Sequence, residues 1–154
     1  MTTPATAPTP FMQVRAELAD ILEFGATPAG TRRVINILGG TVTGERLNGR
    51  ILPGGADWQV IRSDEVADIS ARYTIEADSG ALILVSSDGV RHGPPEVIAR
   101  LARGEDVDPA LYYFRTAMRF ETAGDDVAWL NGIIAIAKGK REANAVILDV
   151  YEVL

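Results

Sequence analysis

The stretch from Ile69 to Ser86 limits the possible folds more than any other. Ile69-Ser70-Ala71-Arg72-Tyr73-Thr74-Ile75-Glu76-Ala77 alternates well, Asp78-Ser79-Gly80 supplies turn chemistry, and Ala81-Leu82-Ile83-Leu84-Val85-Ser86 follows in extended pattern. Alternation at period two sends neighbouring side chains to opposite faces of a strand. A short connection bearing glycine is a favoured way to join two such strands. Ala71, Tyr73, Ile75 and Ala77 therefore share one face of a hairpin, and Arg72, Thr74 and Glu76 share the other. The rest of the chain repeats the theme, with short apolar segments divided by Gly, Asp and Pro, the pattern of an all-β sandwich or barrel. Further strands are expected over residues 33–38, 112–121, 128–138 and 145–153, with turns at Asp88-Gly89 and at Gly139-Lys140-Arg141. Residues 94–104 break the pattern. Two prolines open the segment, Glu96 follows, arginines come late and Gly104 closes it, which suits a short helix and its dipole. That helix is expected to cross a barrel end between strands. Residues 14–22 read two ways: helical period groups Val14, Leu18, Ile21 and Leu22, whereas alternation groups Val14, Ala16 and Leu18.

At 154 residues the chain fits one domain, here residues 11–154. It has no cysteine and a single histidine, His92. Disulfides, thiolate metal sites and cysteine nucleophiles are thereby excluded, as is a multi-histidine metal site within one chain. The net charge of −6 and the lack of a basic stripe argue against nucleic acid as a partner. No P-loop lysine and no dinucleotide-binding glycine pattern follows a strand, so no cofactor is expected. Residues 1–10 hold Thr, Ala and Pro without a charge, and read as a disordered leader rather than a signal peptide. No window approaches the length of an apolar membrane helix. A cytoplasmic protein is expected, with no membrane partner.

Between positions 39 and 55 fall six glycines, in Gly39-Gly40-Thr41-Val42-Thr43-Gly44, Leu47-Asn48-Gly49 and Leu52-Pro53-Gly54-Gly55, and the run ends in Ala56-Asp57-Trp58-Gln59. Glycine serves where backbone turns tightly or approaches another group. With this segment, Ala71-Arg72-Tyr73-Thr74, Asp78-Ser79-Gly80-Ala81-Leu82-Ile83, Tyr113-Phe114-Arg115-Thr116, Phe120-Glu121 and Trp129-Leu130-Asn131 in view, the chain resembles the domain-of-unknown-function 3237 family. The resemblance runs from about Phe11 to Leu154. It implies an antiparallel β-barrel of about 8–10 strands, similar to the allene-oxide-cyclase and dirigent barrels, with one short crossover helix and a ligand cavity. It also makes the first segment a strand and implies a homo-oligomer. It implies no particular reaction.

Candidate site residues follow from chemistry and strand parity. Asp57 is a candidate general acid or base, its pKa raised by Trp58 and partial burial; the competing reading is a turn aspartate bonding backbone amides. Trp58 either stacks on a substrate ring or plugs a barrel end. Arg72 and Arg115 present planar donor forks for a carboxylate or carbonyl, or else pair with neighbouring acids. In the strand at 112–121, Tyr113, Arg115, Ala117, Arg119 and Glu121 form a polar face toward water or a polar lumen. Asn131 shares a face with Trp129 and Ile133, and either bonds a neighbour or points at a ligand. These residues, with Tyr73 and Tyr113, are the expected substrate contacts. His92 is either a general base at a barrel mouth or simply exposed. The expected activity is cofactor-independent isomerisation, cyclisation or lyase-type elimination on a hydrophobic or aromatic carbonyl compound. A non-catalytic carrier or sensor of a lipophilic molecule is the alternative.

Overall fold

The structure, a computed structural model, describes residues 3–154. Its ten strands, in chain order, are β1 (Met12–Leu18), β2 (Leu22–Thr27), β3 (Gly30–Thr43), β4 (Gly49–Ile51), β5 (Gly55–Ile61), β6 (Ala67–Ala77), β7 (Leu82–His92), β8 (Tyr113–Thr122), β9 (Ala135–Arg141) and β10 (Ala145–Glu152). Every pairing is antiparallel. Pairing runs β1-β10-β9-β8-β7-β6 and returns through β4 and β5 to β3, which pairs β1 and closes the ring. β4 and β5 occupy one position between β3 and β6, separated by a turn at Pro53-Gly54, so the tube is an eight-position barrel. β2 lies beyond β1 on the same side of β3 and prolongs the wall past one barrel end.

The hairpin of β6 and β7 is as the alternation requires, with Gly80 N–H donating to Ala77 O at 2.8 Å across the turn. The ambiguous first segment is a strand, because Met12, Val14, Ala16 and Leu18 are all buried and only strand parity does that. One α-helix, α1 (Pro95–Ala102), buries Val97 and Leu101.

Several expected boundaries move. β7 runs straight through Asp88-Gly89, and no turn forms there. A Cβ at Gly89 would sit on the Arg115 carbonyl oxygen of β8, so this glycine admits a close neighbour strand. Gly139 and Arg141 belong to β9, and the turn comes after them. Residues 125–132 form a 3₁₀ segment rather than the start of a strand. Most of the glycines in the run at 39–55 likewise serve the barrel wall. Gly40 has φ +153°, and a Cβ there would strike the Arg15 carbonyl of β1. The leader is laid along the C-terminus, with Ala7 N–H on Glu152 O at 2.9 Å and Leu154 N–H on Ala5 O at 2.7 Å; Met1 and Thr2 lie outside the described residues. Among the described residues no helix is long and apolar enough to cross a membrane.

The core fills the tube from one end. Ile75, Ile83, Val85, Met118, Ala135 and Val150 are all inward and fully buried.

Candidate functional site

The two ends of the tube differ in chemistry. At one, Phe11 meets Phe120 and Trp129 edge-on, with ring centroids 6.3 and 5.3 Å apart, and Val127 and Leu130 of the 3₁₀ segment complete the plug. At the other, a cavity of about 640 Å³ opens between α1, the β5–β6 connection and the turn after β9. A narrower space of about 40 Å³ continues from it into the barrel, and Arg91 and Arg141 line both.

Strand parity carries polar groups to that end. On β5, Asp57 and Gln59 point inward, while Trp58 between them points out. On β3, Arg33 shares the inward face of Ile35 and Ile37. On β7, Ile83, Val85 and Ser87 lead to Arg91, and on β9 Ala135 and Ala137 lead to Arg141. Arg33 Nη2 and Nε donate to Gln59 Oε1 at 2.6 and 3.1 Å. Gln59 Nε2 in turn donates to Asp57 Oδ2 at 2.7 Å, and Ser70 N–H donates to Asp57 Oδ1 at 3.2 Å. Burial raises the Asp57 carboxyl above its ordinary range; the bonds from Gln59 and Ser70 and the charges of Arg91 and Arg33 oppose this without cancelling it.

Arg91 is 8% exposed, and its guanidinium donates to no protein acceptor among the described residues. Its nearest notable neighbour is the Phe114 ring, 5.9 Å from the guanidinium carbon. Burial, then the charges of Arg33 and Arg141, push Arg91 down to about 10. Arg141 is lowered by burial and by Arg33. Its backbone N–H donates to the Tyr112 hydroxyl at 2.9 Å and its Nη1 to Ala145 O at 3.3 Å. Deeper in, Ser87 Oγ donates to Thr116 Oγ1 at 2.8 Å. Tyr73 is fully buried, its hydroxyl has no partner, and burial pushes its pKa up.

The residues expected from sequence divide accordingly. Asp57 and Tyr73 line the interior. Arg72 does not: it lies on the outer face of β6 and donates to Asp88 Oδ1 at 3.1 Å and Ala71 O at 2.8 Å. Arg115 is on the outer face of β8, over the Tyr113 ring at 5.1 Å. The face of β8 carrying Tyr113, Arg115 and Glu121 turns to water because the opposite face, with Phe114, Met118 and Phe120, fills the core. Trp58 is outside and 42% exposed, so burial alone and not the indole raises Asp57. Trp129 belongs to the plug, with the Arg46 guanidinium 3.6 Å from its ring centroid. Asn131 holds the end of β8, accepting from Thr122 N–H at 2.8 Å and donating to Thr122 O at 3.0 Å. His92 ends β7 and stacks on Tyr113 at 5.2 Å. Gln59, Arg33, Arg91 and Arg141 were not anticipated as site residues. No group of three or more potential metal ligands converges among the described residues.

A family model described as a protein of unknown function, DUF3237, matches residues 6–153. A UPF0311 protein of Rhodopseudomonas palustris is 43% identical over 141 residues, 92% of each chain. A solved structure of a conserved protein of unknown function from that organism superposes with a TM-score of 0.91 at 40% identity, covering 99% of this chain and 100% of the other. A β-barrel-like protein of Acinetobacter baumannii gives 0.84 at 42% identity, over 99% of each chain. An enzyme from Penicillium herquei gives 0.74 at 18% identity, over 100% of this chain and 97% of its own, which is a likeness of fold.

Proposed function

The chain belongs to the DUF3237 family of β-barrel proteins whose function is unassigned, and from that premise we propose that its open barrel end binds a small, partly hydrophobic carbonyl compound and rearranges it by cofactor-free acid–base chemistry. One observation carries this reading: a carboxylate with a raised pKa, Asp57, lines the narrow inner space with Arg91, a guanidinium that has no protein acceptor among the described residues and also faces the wider cavity. Groups whose environments move their pKa values and which converge in a cleft are the usual signature of a reactive site. The inner space of about 40 Å³ takes only the reacting group, and the wider cavity, with Ile21, Ile61, Ile98 and Leu101 on its wall, has the room for a hydrocarbon or ring. A barrel of this fold serves as an enzyme in Penicillium herquei.

In the isomerisation form of the reaction, the Asp57 carboxylate takes a proton from the carbon beside the carbonyl. The C–H electron pair moves into the ring or chain and onto the carbonyl oxygen, where a guanidinium donates to the developing charge. Asp57 returns the same proton at the new position, so no atom or electron is gained or lost. Cyclisation and elimination use the same two groups, one to move a proton and one to hold charge on oxygen. Tyr73, with its hydroxyl unpaired, is the donor at the inner end.

The test is Asp57→Asn against a panel of aromatic and enolisable ketones. The fold is expected to survive and turnover to vanish, and turnover equal to wild type refutes the assignment. The carrier reading has its own support, since both Asp57 oxygens already accept hydrogen bonds within the protein. It is favoured if ligands raise the melting temperature of wild type and variant alike while no compound turns over.

A further inference from the structure

We propose that the molecule held at the open end carries a carboxylate, and that Arg91 is its anchor, with Arg33 and Arg141 beside it. This rests on the reading of that cavity as a ligand site and names the chemistry of what enters it.

A guanidinium always carries charge, offers five donors in a rigid fork and is almost never buried unless paired. Arg91 meets that condition only in part: Asp57 attracts it, but no protein acceptor among the described residues bonds its fork, which faces the cavity. Its own strand supplies no acid at that end, and the Phe114 ring at 5.9 Å replaces little of the lost hydration. Two like charges, Arg33 and Arg141, repel it, and Asp57 attracts it. Arg33 is fixed by Gln59 and Arg141 by the Ala145 carbonyl, so both are held in place and neither is neutralised.

The opposite charges that face the group are few. Among the described residues Asp57 is the one carboxylate inside, and its oxygens already accept from Gln59 and Ser70. Asp20 and Glu65 stand at the exposed rim of the cavity, where solvent and salt screen them. α1 contributes only apolar side chains to the wall, Ile98 and Leu101 among them. The chain as a whole is acidic, at −6, yet the inner end of this cavity holds three guanidiniums against one carboxylate. A carboxylate from outside is the group whose planar pair of acceptors matches the unpaired fork. The apolar wall of Ile21, Ile61, Ile98 and Leu101 then takes the body of the ligand, in a volume of about 640 Å³ that falls within the usual range for small-molecule sites.

Isothermal titration of the full chain with benzoate, its neutral counterpart benzamide and inorganic phosphate tests this. Wild type is expected to bind benzoate roughly tenfold or more tightly than benzamide, a difference of about 1.4 kcal/mol or greater. Arg91→Met is expected to lose that preference while melting no lower than wild type. Arg103→Ala removes an exposed arginine paired with Glu105 outside the cavity, and is expected to keep the preference. Equal binding of benzoate and benzamide, retention of the preference in Arg91→Met, or no benzoate binding at high millimolar concentration overturns the proposal. Phosphate binding more tightly than benzoate overturns the choice of a carboxylate. Asp57→Asn separates this from the acid–base reading: that variant keeps the benzoate preference if the anchor is Arg91, whatever happens to turnover.

Discussion

Arg91→Met is the most informative single perturbation of stability. A guanidinium that titrates at about 10 instead of its ordinary 12.5 has its charged form disfavoured in the folded protein by about 3 kcal/mol. Methionine keeps a flexible apolar stem of similar reach and a polarisable sulfur for the Phe114 ring. Set against the gain is the lost attraction between Arg91 and that ring, about 1 kcal/mol. A net stabilisation of about 2 kcal/mol follows, or roughly 4–8 °C in melting temperature for a chain of this size. Calorimetry in a buffer free of carboxylates and phosphate gives the reading, because any bound anion stabilises wild type selectively by mass action. Arg91→Lys is the control: it keeps a buried charge and is expected to show no comparable gain. A melting temperature that falls in Arg91→Met refutes the reasoning, since it means that the guanidinium is already satisfied within the protein. Adding benzoate is expected to narrow or reverse the gap between wild type and the methionine variant.

Asp57 fixes a pH dependence. Its carboxyl is raised above 3.8, so between that pH and its folded value the native state holds a proton that the unfolded chain has released. Stability contributed by this group is therefore full below that window and declines as pH rises through it; chemical denaturation from pH 3.5 upward is expected to show the decline in wild type and to lose it in Asp57→Asn. Tyr73→Phe removes a buried hydroxyl with no partner and is expected to leave stability unchanged or raise it by about 1 kcal/mol, whereas a loss above 1 kcal/mol in urea unfolding contradicts the hydroxyl's isolation. Gly40→Ala places a Cβ against the Arg15 carbonyl at φ +153° and is expected to lose about 1–3 kcal/mol from backbone strain alone, seen as a lower midpoint in thermal melts. Asn131→Ala frees the Thr122 amide and carbonyl and is expected to lower stability by about 1 kcal/mol without changing ligand binding at the far end.

How much of this was legible in the sequence depends on whether the relevant signal was local. Alternation at 69–77 and the turn at Asp78-Ser79-Gly80 are local, and β6 and β7 follow them. Parity also gave the two faces of β8 correctly, and a polar face opposite Phe114, Met118 and Phe120 turned to water because a tube this narrow has room for one filled face. The arginines were misplaced for a related reason. Reading Asp88-Gly89 as a turn ended that strand at Ser86, well short of Arg91. Had the strand been carried on, the face of Ile83, Val85 and Ser87 would have delivered Arg91 to the interior. Reading Gly139 to Arg141 as a turn hid Arg141 in the same way. In both places glycine signalled close approach between strands rather than chain reversal, as the Arg115 carbonyl beside Gly89 shows. Arg33 lies on the parity of Ile35 and Ile37 and was readable. What no local pattern contains is which barrel end stays open, because Trp129 and Phe120 close theirs through Phe11, more than a hundred residues away in sequence.

The division of the tube into a dry end and a charged end has an energetic consequence. Leu, Ile, Val and Phe at every inward position would close the barrel completely and spare the chain the desolvation of Arg91, Arg141 and Asp57. The aliphatic end already does this and supplies a rigid frame, since Ile75, Ile83, Val85 and Val150 are fully buried. Against such a frame strand parity holds Asp57 at the inner space and brings Arg33, Arg91 and Arg141 to the wall of the open cavity. An ion pair would relieve the strain, yet the inner end holds three cations and a single acid that is itself held partly toward its protonated form. Asp57 has one hydrogen bond to each oxygen, whereas Arg91 has no protein acceptor among the described residues. The deficit at Arg91 is of the kind that a bound anion cancels, and the carboxylate proposed above supplies one.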